Sequence, residues 1–380
     1  MSHSQETRQG LRGEHGESFL STAFDPKLNA LNAIRLLLAV SVIVWHSVPL
    51  TGASRPVPAV AQLLGEGGVD GFFAISGFLI VSSWMRRPRW WPYVKARCLR
   101  ILPAFWMCLI VTAAIIAPLG ISLAGQDLPD GYPVDAALYV GKNALLKINE
   151  YGISGTPTGV PYPGVWNGSL WTLSWEFLCY LGVLALGLTR VLRYRATIPI
   201  IFGACLTVSV LADTRLVHNY YLVDGSRFGL MFAAGALIHQ LRHRLPTRAV
   251  DLVIVAAIIA AASLLPDYRV AAALPLAYLL ISAGALLRVR ALRLQNDISY
   301  GTYIYAFPIQ QVLASAGLYR LGVPLFASIA IPLTFLVAAA SWFGVEKPAM
   351  RLRGRTVPAF PPLQQGTPFQ SDSRMPPEHS

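Results

Sequence analysis

Ten apolar runs, each near the length of one bilayer crossing, follow one another along the chain. They lie at about residues 30–50, 68–85, 100–118, 168–188, 197–212, 226–241, 249–265, 270–287, 298–318 and 323–343. About twenty apolar residues in a helix span the hydrocarbon core. The pattern therefore predicts an all-α fold: a polytopic membrane helix bundle of about ten transmembrane helices. The runs at 197–212 and 226–241 are short, and only Pro266-Asp267 divides two runs that otherwise read as one broken helix. The longest connection, 119–167, contains DLPDGYPVD and GISGTPTGVPYPGVWNG. Its Gly, Pro, Tyr and Trp suit a structured lid or acceptor-binding surface, and equally a tolerated insertion.

Charge sorts the connections into two alternating sets. Segments 1–29, 86–100, 190–195, 242–248, 288–293 and 347–374 hold 23 of the 31 Lys and Arg residues. The other set holds only Arg55, Lys142, Lys147, Arg215, Arg269 and Arg320, while Arg35 and Arg227 fall inside apolar runs. Lys and Arg concentrate on the cytoplasmic side, so both termini are expected there, in a multi-pass cell-membrane protein of the bacterial inner-membrane type. One missing or extra helix would destroy the alternation. The net charge of +12 is then a topology signal, and no nucleic-acid partner is needed to account for it.

Composition agrees with a chain whose surroundings include membrane lipid: 54% of residues are hydrophobic and 13% charged, too apolar for an ordinary soluble domain. Three segments are expected, namely a polar cytoplasmic stretch 1–29, a membrane domain 30–350 and a disordered cytoplasmic tail 351–380. Residues 1–29 do not read as a signal peptide, and cleavage after the first run would discard Arg35 and His46. Cys98, Cys108, Cys179 and Cys205 show no CxxC spacing, so neither disulfides nor a metal site are expected.

Polar residues inside the runs carry the candidate chemistry. Arg35 and His46 are eleven residues apart in the first run, which returns both to nearly the same helix face about 16 Å apart. Intramembrane Arg and His are costly enough to mark a site. In the second run, GVDGFFAISGFLI, Gly68, Gly71 and Gly77 allow close helix contact, and Asp70 could orient or charge-balance an imidazole. Arg97 and Arg100 in RRPRWWPYVKARCLRILPAFW share a helix face and suit phosphate oxygens. Charge alone favours the plainer reading of positive-inside anchoring beside Trp90, Trp91 and Trp106. Glu176 in GSLWTLSWEFLCYLGVLAL has Ser169 and Thr172 at i−7 and i−4 and Tyr180 at i+4. It should face the bundle interior, where Arg35, Arg227 or His46 could meet it, in a structural ion pair or in a site. NDISYGTYIYAFPIQQVL reads as an aromatic helix broken near Pro308, and VEKPAMRLR as the end of the last span.

In this order, these segments resemble the acyltransferase-3 family of ten-helix membrane acyltransferases over roughly residues 28–350. Arg35 and His46 match its Arg, ten residues, then His. GVDGFFAISGFLI matches its Gly-Val-Asp-x-Phe-Phe-x-x-Ser-Gly-Phe block, and Arg97, Arg100 and Pro103 its Arg-x-x-Arg pair and proline. Trp171, Ser174, Glu176 and Tyr180 match its fourth-helix signature. The chain departs at Phe177, where many relatives carry a second Glu, and at Tyr305-Ala306, where they carry Trp-His. Relatives often append an external hydrolase-like domain; without one, this protein would finish acyl transfer alone or hand the acyl group to a partner.

The resemblance implies O-acyl transfer from cytosolic acyl-CoA, acetyl-CoA above all, to a carbohydrate, lipid-linked sugar or glycosylated metabolite, without a metal. Arg97, Arg100 and Arg35 would bind the donor. His46 would act as general base or as a transient acyl carrier, with Asp70 or Glu176 setting its tautomer. A proton-coupled secondary transporter using His46 and Glu176 is the main rival, although no inverted repeat is visible. A scaffold subunit would leave Arg35, His46 and Glu176 without a purpose.

Overall fold

Helices carry the architecture throughout, and among the described residues no strand forms beyond two isolated bridges. The structure, a computed structural model, describes residues 19–26, 28–287 and 289–354. Most of the expected polar segment 1–29 and nearly all of the expected tail 351–380 lie outside these residues. In chain order the principal helices are α1 Leu31–Leu50, α2 Pro58–Arg86, α3 Trp90–Leu123, α4 Tyr132–Asn143, α5 Thr172–Leu188, α6 Thr197–Asp213, α7 Tyr220–Leu241, α8 Ala249–Ala262, α9 Arg269–Leu286, α10 Ser299–Ser315 and α11 Leu318–Arg351. Six of them, α1, α2, α3, α7, α9 and α11, are long and apolar enough to cross a membrane, while α5, α6 and α8 are shorter apolar helices. The chain is a multi-pass membrane protein.

Apolar side chains turn outward on the peripheral helices, where Val250, Val253 and Ile254 of α8 and Leu325, Leu333 and Leu336 of α11 are exposed. The aromatic and polar α10 instead lies at the centre, buried from Ser299 to Pro308. A helix wrapped by protein need not be apolar, because its neighbours rather than lipid receive its polar groups.

Two elements depart from expectation. Residues 90–100, read as part of a connection, are the first turns of α3. Pro92 falls among the helix's first four N–H groups, which lack intrahelical partners anyway. Expected to break near Pro308, α10 instead runs straight through it. Proline withdraws the N–H that would bond the carbonyl four residues back. That carbonyl, of Ile304, accepts Asn167 Nδ2 at 2.9 Å and Cys108 Sγ at 3.3 Å instead.

The connection 119–167 is a built cap. Asn143 Oδ1 accepts the N–H groups of Asn149 and Glu150, Ser154 donates to Asp135, and the fully buried Trp166 donates to Thr156 Oγ1 at 3.0 Å. Gln311 Nε2 on α10 ties the cap down through Tyr162 O and Val165 O, both at 2.7 Å.

Close contact between α2 and α7 depends on paired glycines. A Cβ on Gly77 would lie 1.9 Å from Phe232 O, and one on Gly235 would lie 1.8 Å from Ala74 O. Gly68 and Gly71 likewise admit Ser41, Val42 and Leu38 of α1. Gly77→Ala is therefore expected to cost about 1–3 kcal/mol or more through overpacking, read as a lower thermal midpoint in detergent. Gly182→Ala on α5, with nothing within 4 Å, should leave the midpoint unchanged or raise it slightly; equal behaviour of the two variants would refute the contact.

Candidate active site

One carboxylate organises the end of the bundle where the arginines gather. Asp297, two residues before α10, accepts Arg35 of α1 at 2.8 Å and Arg100 of α3 at 2.5 Å. Arg100 also reaches Glu346 of α11 at 3.5 Å. Burial by itself would raise the Asp297 carboxyl, but Arg35 and Arg100, with hydrogen bonds from Ser299, hold it at about 2. Glu346 closes the π-turn Trp342–Glu346; such wide turns recur at functional sites. Asp297 and Glu346 were not singled out in the sequence, where they read as ordinary residues at a helix start and a helix stop.

Arg97 differs from its neighbour. It stacks over Tyr93 and Tyr180 at 5.8 Å from each ring centroid, and its buried Nε has no hydrogen-bond partner. It lines a cavity of about 330 Å³ together with Arg35, Arg100, Arg353, Ser76 and Tyr180. Burial, then the charges of Arg97 and Arg100, push the Arg353 guanidinium down to about 10. Four arginines against Asp297 leave this cavity positive, so the expected Arg97 and Arg100 pair is brought together but used unequally. Arg100 is paired with two carboxylates, whereas Arg97 has none among the described residues.

Arg35 also lines a narrow cleft of about 30 Å³ deeper in the bundle, beside Phe72, Thr172, Glu176, Tyr300 and Tyr303. Glu176 accepts Ser76 Oγ at 3.0 Å and the hydroxyl of Tyr180, its i+4 neighbour. Among the described residues it forms no ion pair, so the structural pairing with Arg35, Arg227 or His46 is not made. Tyr303 Oη bonds Thr172 Oγ1 at 2.6 Å and Ser169 O at 2.9 Å. One stripe of α10, Tyr300, Tyr303, Phe307 and Gln310, runs from Arg100 past this cleft to His46.

His46 lies at the far end of that stripe. Its ring meets Phe307 edge to face at 5.1 Å, and Phe307 in turn meets Tyr162 of the cap at 5.9 Å. Gln310 Nε2 bonds Ile43 O and Ser47 Oγ around the same turn of α1. His46 Nδ1 and Gln310 Oε1 are both buried without a hydrogen-bond partner, an arrangement able to receive hydroxyl donors.

Asp70 does not join them. It is fully buried and accepts Arg269 Nε and Tyr268 Oη, both at 2.6 Å, with Arg227 Nε at 3.5 Å. Glu66, in the π-turn Gln62–Glu66, grips Arg269 as well. Gly68 and Gly71 form the face of α2 turned to α1, and Asp70 lies about 200° and 100° around the helix from them. It therefore points to α9 and α7, and the expected carboxylate partner of the imidazole is not formed by Asp70 or Glu176. Arg269, assigned by charge pattern to a connection, is 5% exposed; the Arg269 and Asp70 pair is a tertiary feature that neither run reveals.

A family model described as an acyltransferase domain matches residues 28–343. The chain belongs to this acyltransferase-3 family. It is 29% identical to an O-acetyl transferase of Shigella phage Sf6, over 84% of this chain and 96% of that protein. It is 28% identical to the exopolysaccharide production protein ExoZ of Rhizobium meliloti (strain 1021), over 77% and 91% of the two chains. Nodulation protein 10 of Rhizobium leguminosarum bv. viciae is also 28% identical, over 86% and 94%. No solved structure gives a significant match. The protein is an O-acyltransferase, and the transporter reading is not favoured.

Asp297→Asn should strip two arginines of their shared partner and destabilise the protein by roughly 3 kcal/mol, read from thermal unfolding in detergent. Glu150→Gln, which breaks an exposed pair with Lys142, should cost under about 1 kcal/mol. Because the folded Asp297 value lies below the ordinary value of about 3.9, the wild-type advantage over Asn should be constant above about pH 4 and vanish as pH falls through about 2.

Proposed function

We propose that this acyltransferase takes an acetyl group from a CoA thioester at the arginine-rich end of the bundle and delivers it to a hydroxyl of a carbohydrate acceptor beneath the cap. The observation that carries this reading is one unbroken line of side chains, open as cavities from Arg97 to Glu176 and packed from Tyr303 to His46. Arg97 and its partners line a positive cavity, Arg35 joins that cavity to the cleft at Glu176 and Tyr303, and the same stripe of α10 ends at His46. A polyanionic donor suits the first part and a hydroxyl acceptor the third, while the cleft between them, about 30 Å³, has room for little more than one water and must widen for the thioester to pass. The name of the exopolysaccharide relative supports a carbohydrate acceptor.

Ten membrane crossings complete the reading, with α4 and the cap outside and both termini in the cytoplasm of a bacterial inner membrane. The arginine-rich end then meets the cytosol, where CoA thioesters are made. Arg97 holds a phosphate, and Arg100 and Arg35, fixed by Asp297, shape the entrance. Glu176, which accepts the hydroxyls of Ser76 and Tyr180, faces the arm of the donor. His46 Nδ1 takes the proton of the acceptor hydroxyl as its oxygen attacks the thioester carbonyl carbon. The carbon–sulfur bond breaks, and the departing CoA thiolate recovers a proton from the imidazolium. Asp70 acts at a distance, by locking α2 to α9 and α7.

Purified protein should acetylate its acceptor only when acetyl-CoA is supplied. His46→Ala should abolish transfer while expression, insertion and thermal midpoint stay near wild type; near-normal acylation would remove His46 from the chemistry. Glu176→Gln, which keeps shape but not charge, should lower kcat at least tenfold. Arg97→Ala should raise the Michaelis constant for acetyl-CoA about ten- to a hundredfold, from the loss of a charge-assisted bond of roughly 1.5–3 kcal/mol. Arg97→Lys should restore only part of it, since the fork is lost. If Arg97 served only as a positive-inside anchor, Lys would equal wild type and donor affinity would not move.

A further inference from the structure

A second cavity, of about 800 Å³, opens beside the donor entrance and has no assigned role. It lies between residues 20–26 and 28–32, the ends of α2 and α7 and the connection 290–295. Among the described residues that line it are Arg86, Arg242, Arg290, Arg293 and His239, and no Asp or Glu. Membrane anchoring asks only that such arginines stand on one side of the bilayer; it does not ask them to converge on one hollow. The back wall is aromatic: Phe78 meets Phe24 edge to face at 5.1 Å and His239 at 5.5 Å. Residues 20–26 and 28–32 are held in place by Leu20 N to Leu245 O at 2.9 Å, Ser21 N to Arg242 O at 3.0 Å, and Asn32 Nδ2 to Leu294 O at 2.8 Å.

Asn32, Leu79 and Gln295 line both this cavity and the one around Arg97. Three spaces thus follow in line: a large basic chamber with an aromatic wall, a smaller positive cavity, and the narrow cleft at Glu176. The volume suits a small-molecule site of about 300–1,000 Å³, and convergent arginines suit phosphate. Within the reading of the donor as a CoA thioester, we propose that the large chamber binds the donor's 3′-phosphorylated adenosine. Arg86, Arg242 and Arg290 surround the 3′-phosphate, the partly exposed Phe24, backed by the buried Phe78, receives the base, and the diphosphate passes to Arg97. The donor is then recognised at the end remote from the bond that breaks.

The test compares donors of decreasing length on full-length protein in detergent: acetyl-CoA, acetyl-3′-dephospho-CoA and S-acetyl-4′-phosphopantetheine. Arg86→Ala/Arg290→Ala should raise the Michaelis constant for acetyl-CoA about tenfold with kcat held. The difference from wild type should shrink to within twofold on the phosphopantetheine thioester, which lacks the nucleotide. Arg86→Lys/Arg290→Lys, which preserves the charge pattern needed for insertion, should restore most of the affinity. A double Ala variant with wild-type constants for acetyl-CoA would overturn the nucleotide site and leave the donor reading intact. Wild-type protein inactive with every CoA thioester would overturn the donor reading, and the nucleotide site with it. Loss of co-purifying phosphatidylglycerol or cardiolipin from the variant, with donor constants unchanged, would give the chamber to a lipid headgroup instead.

Discussion

A carboxylate shared by two arginines on different helices is the constraint on which the site depends. Charges in a low-dielectric interior are tolerated only when paired, and removing one partner leaves the other exposed to the full desolvation cost. Asp297 satisfies Arg35 and Arg100 together, and Glu346 adds a third attachment. The ends of α1, α10 and α11 and the third turn of α3 are thereby fixed around one point. With Arg35 and Arg100 paired to Asp297, Arg97 and Arg353 stand beside the cavity with no carboxylate partner among the described residues. The clamp and the anion site are thus two consequences of one unequal pairing.

A second clamp faces the other way. Asp70 and Glu66 hold Arg269, with Arg227 close by, and this group joins α2 to α9 and α7. In both clamps a glutamate from a π-turn reaches an arginine of another helix, Glu66 to Arg269 and Glu346 to Arg100. A π-turn rotates a side chain out of the register that an unbroken α-helix would impose, which lets a long helix meet lipid along one side and still present a carboxylate inward. From the first clamp runs α10, whose Tyr300, Tyr303 and Phe307 line the way to His46. Its polar content is affordable only because α1, α11 and the cap cover it.

The cap gives the His46 end its own character. Gln311 pins the cap to α10 while Gln310 pins α10 to the turn of α1 that carries His46. Acceptor side and imidazole are therefore positioned by adjacent residues of one helix, and Phe307, one turn earlier, touches both His46 and Tyr162. His46 Nδ1 is unpartnered in this setting, whereas Asp70 is held by Arg269 and Tyr268 through Oδ2 and faces Arg227 through Oδ1, a charge committed to assembly.

The apolar runs, the all-α class, the family blocks and the shared face of Arg35 and His46 were legible in the sequence, because they follow from local composition and from the 3.6-residue period of a helix. So was the Tyr180 contact with Glu176, an i+4 neighbour. Passage of α10 through Pro308 was not legible, since it depends on Asn167 and Cys108 arriving at the Ile304 carbonyl. Nor was the direction of Asp70, which is decided by where Arg269 and Arg227 stand. Asp297 and Glu346 look like a helix start and a helix stop when read along the chain. Their partners lie 262, 197 and 246 residues away, and a charge in the bundle interior is defined by what packs against it, which only the tertiary structure decides.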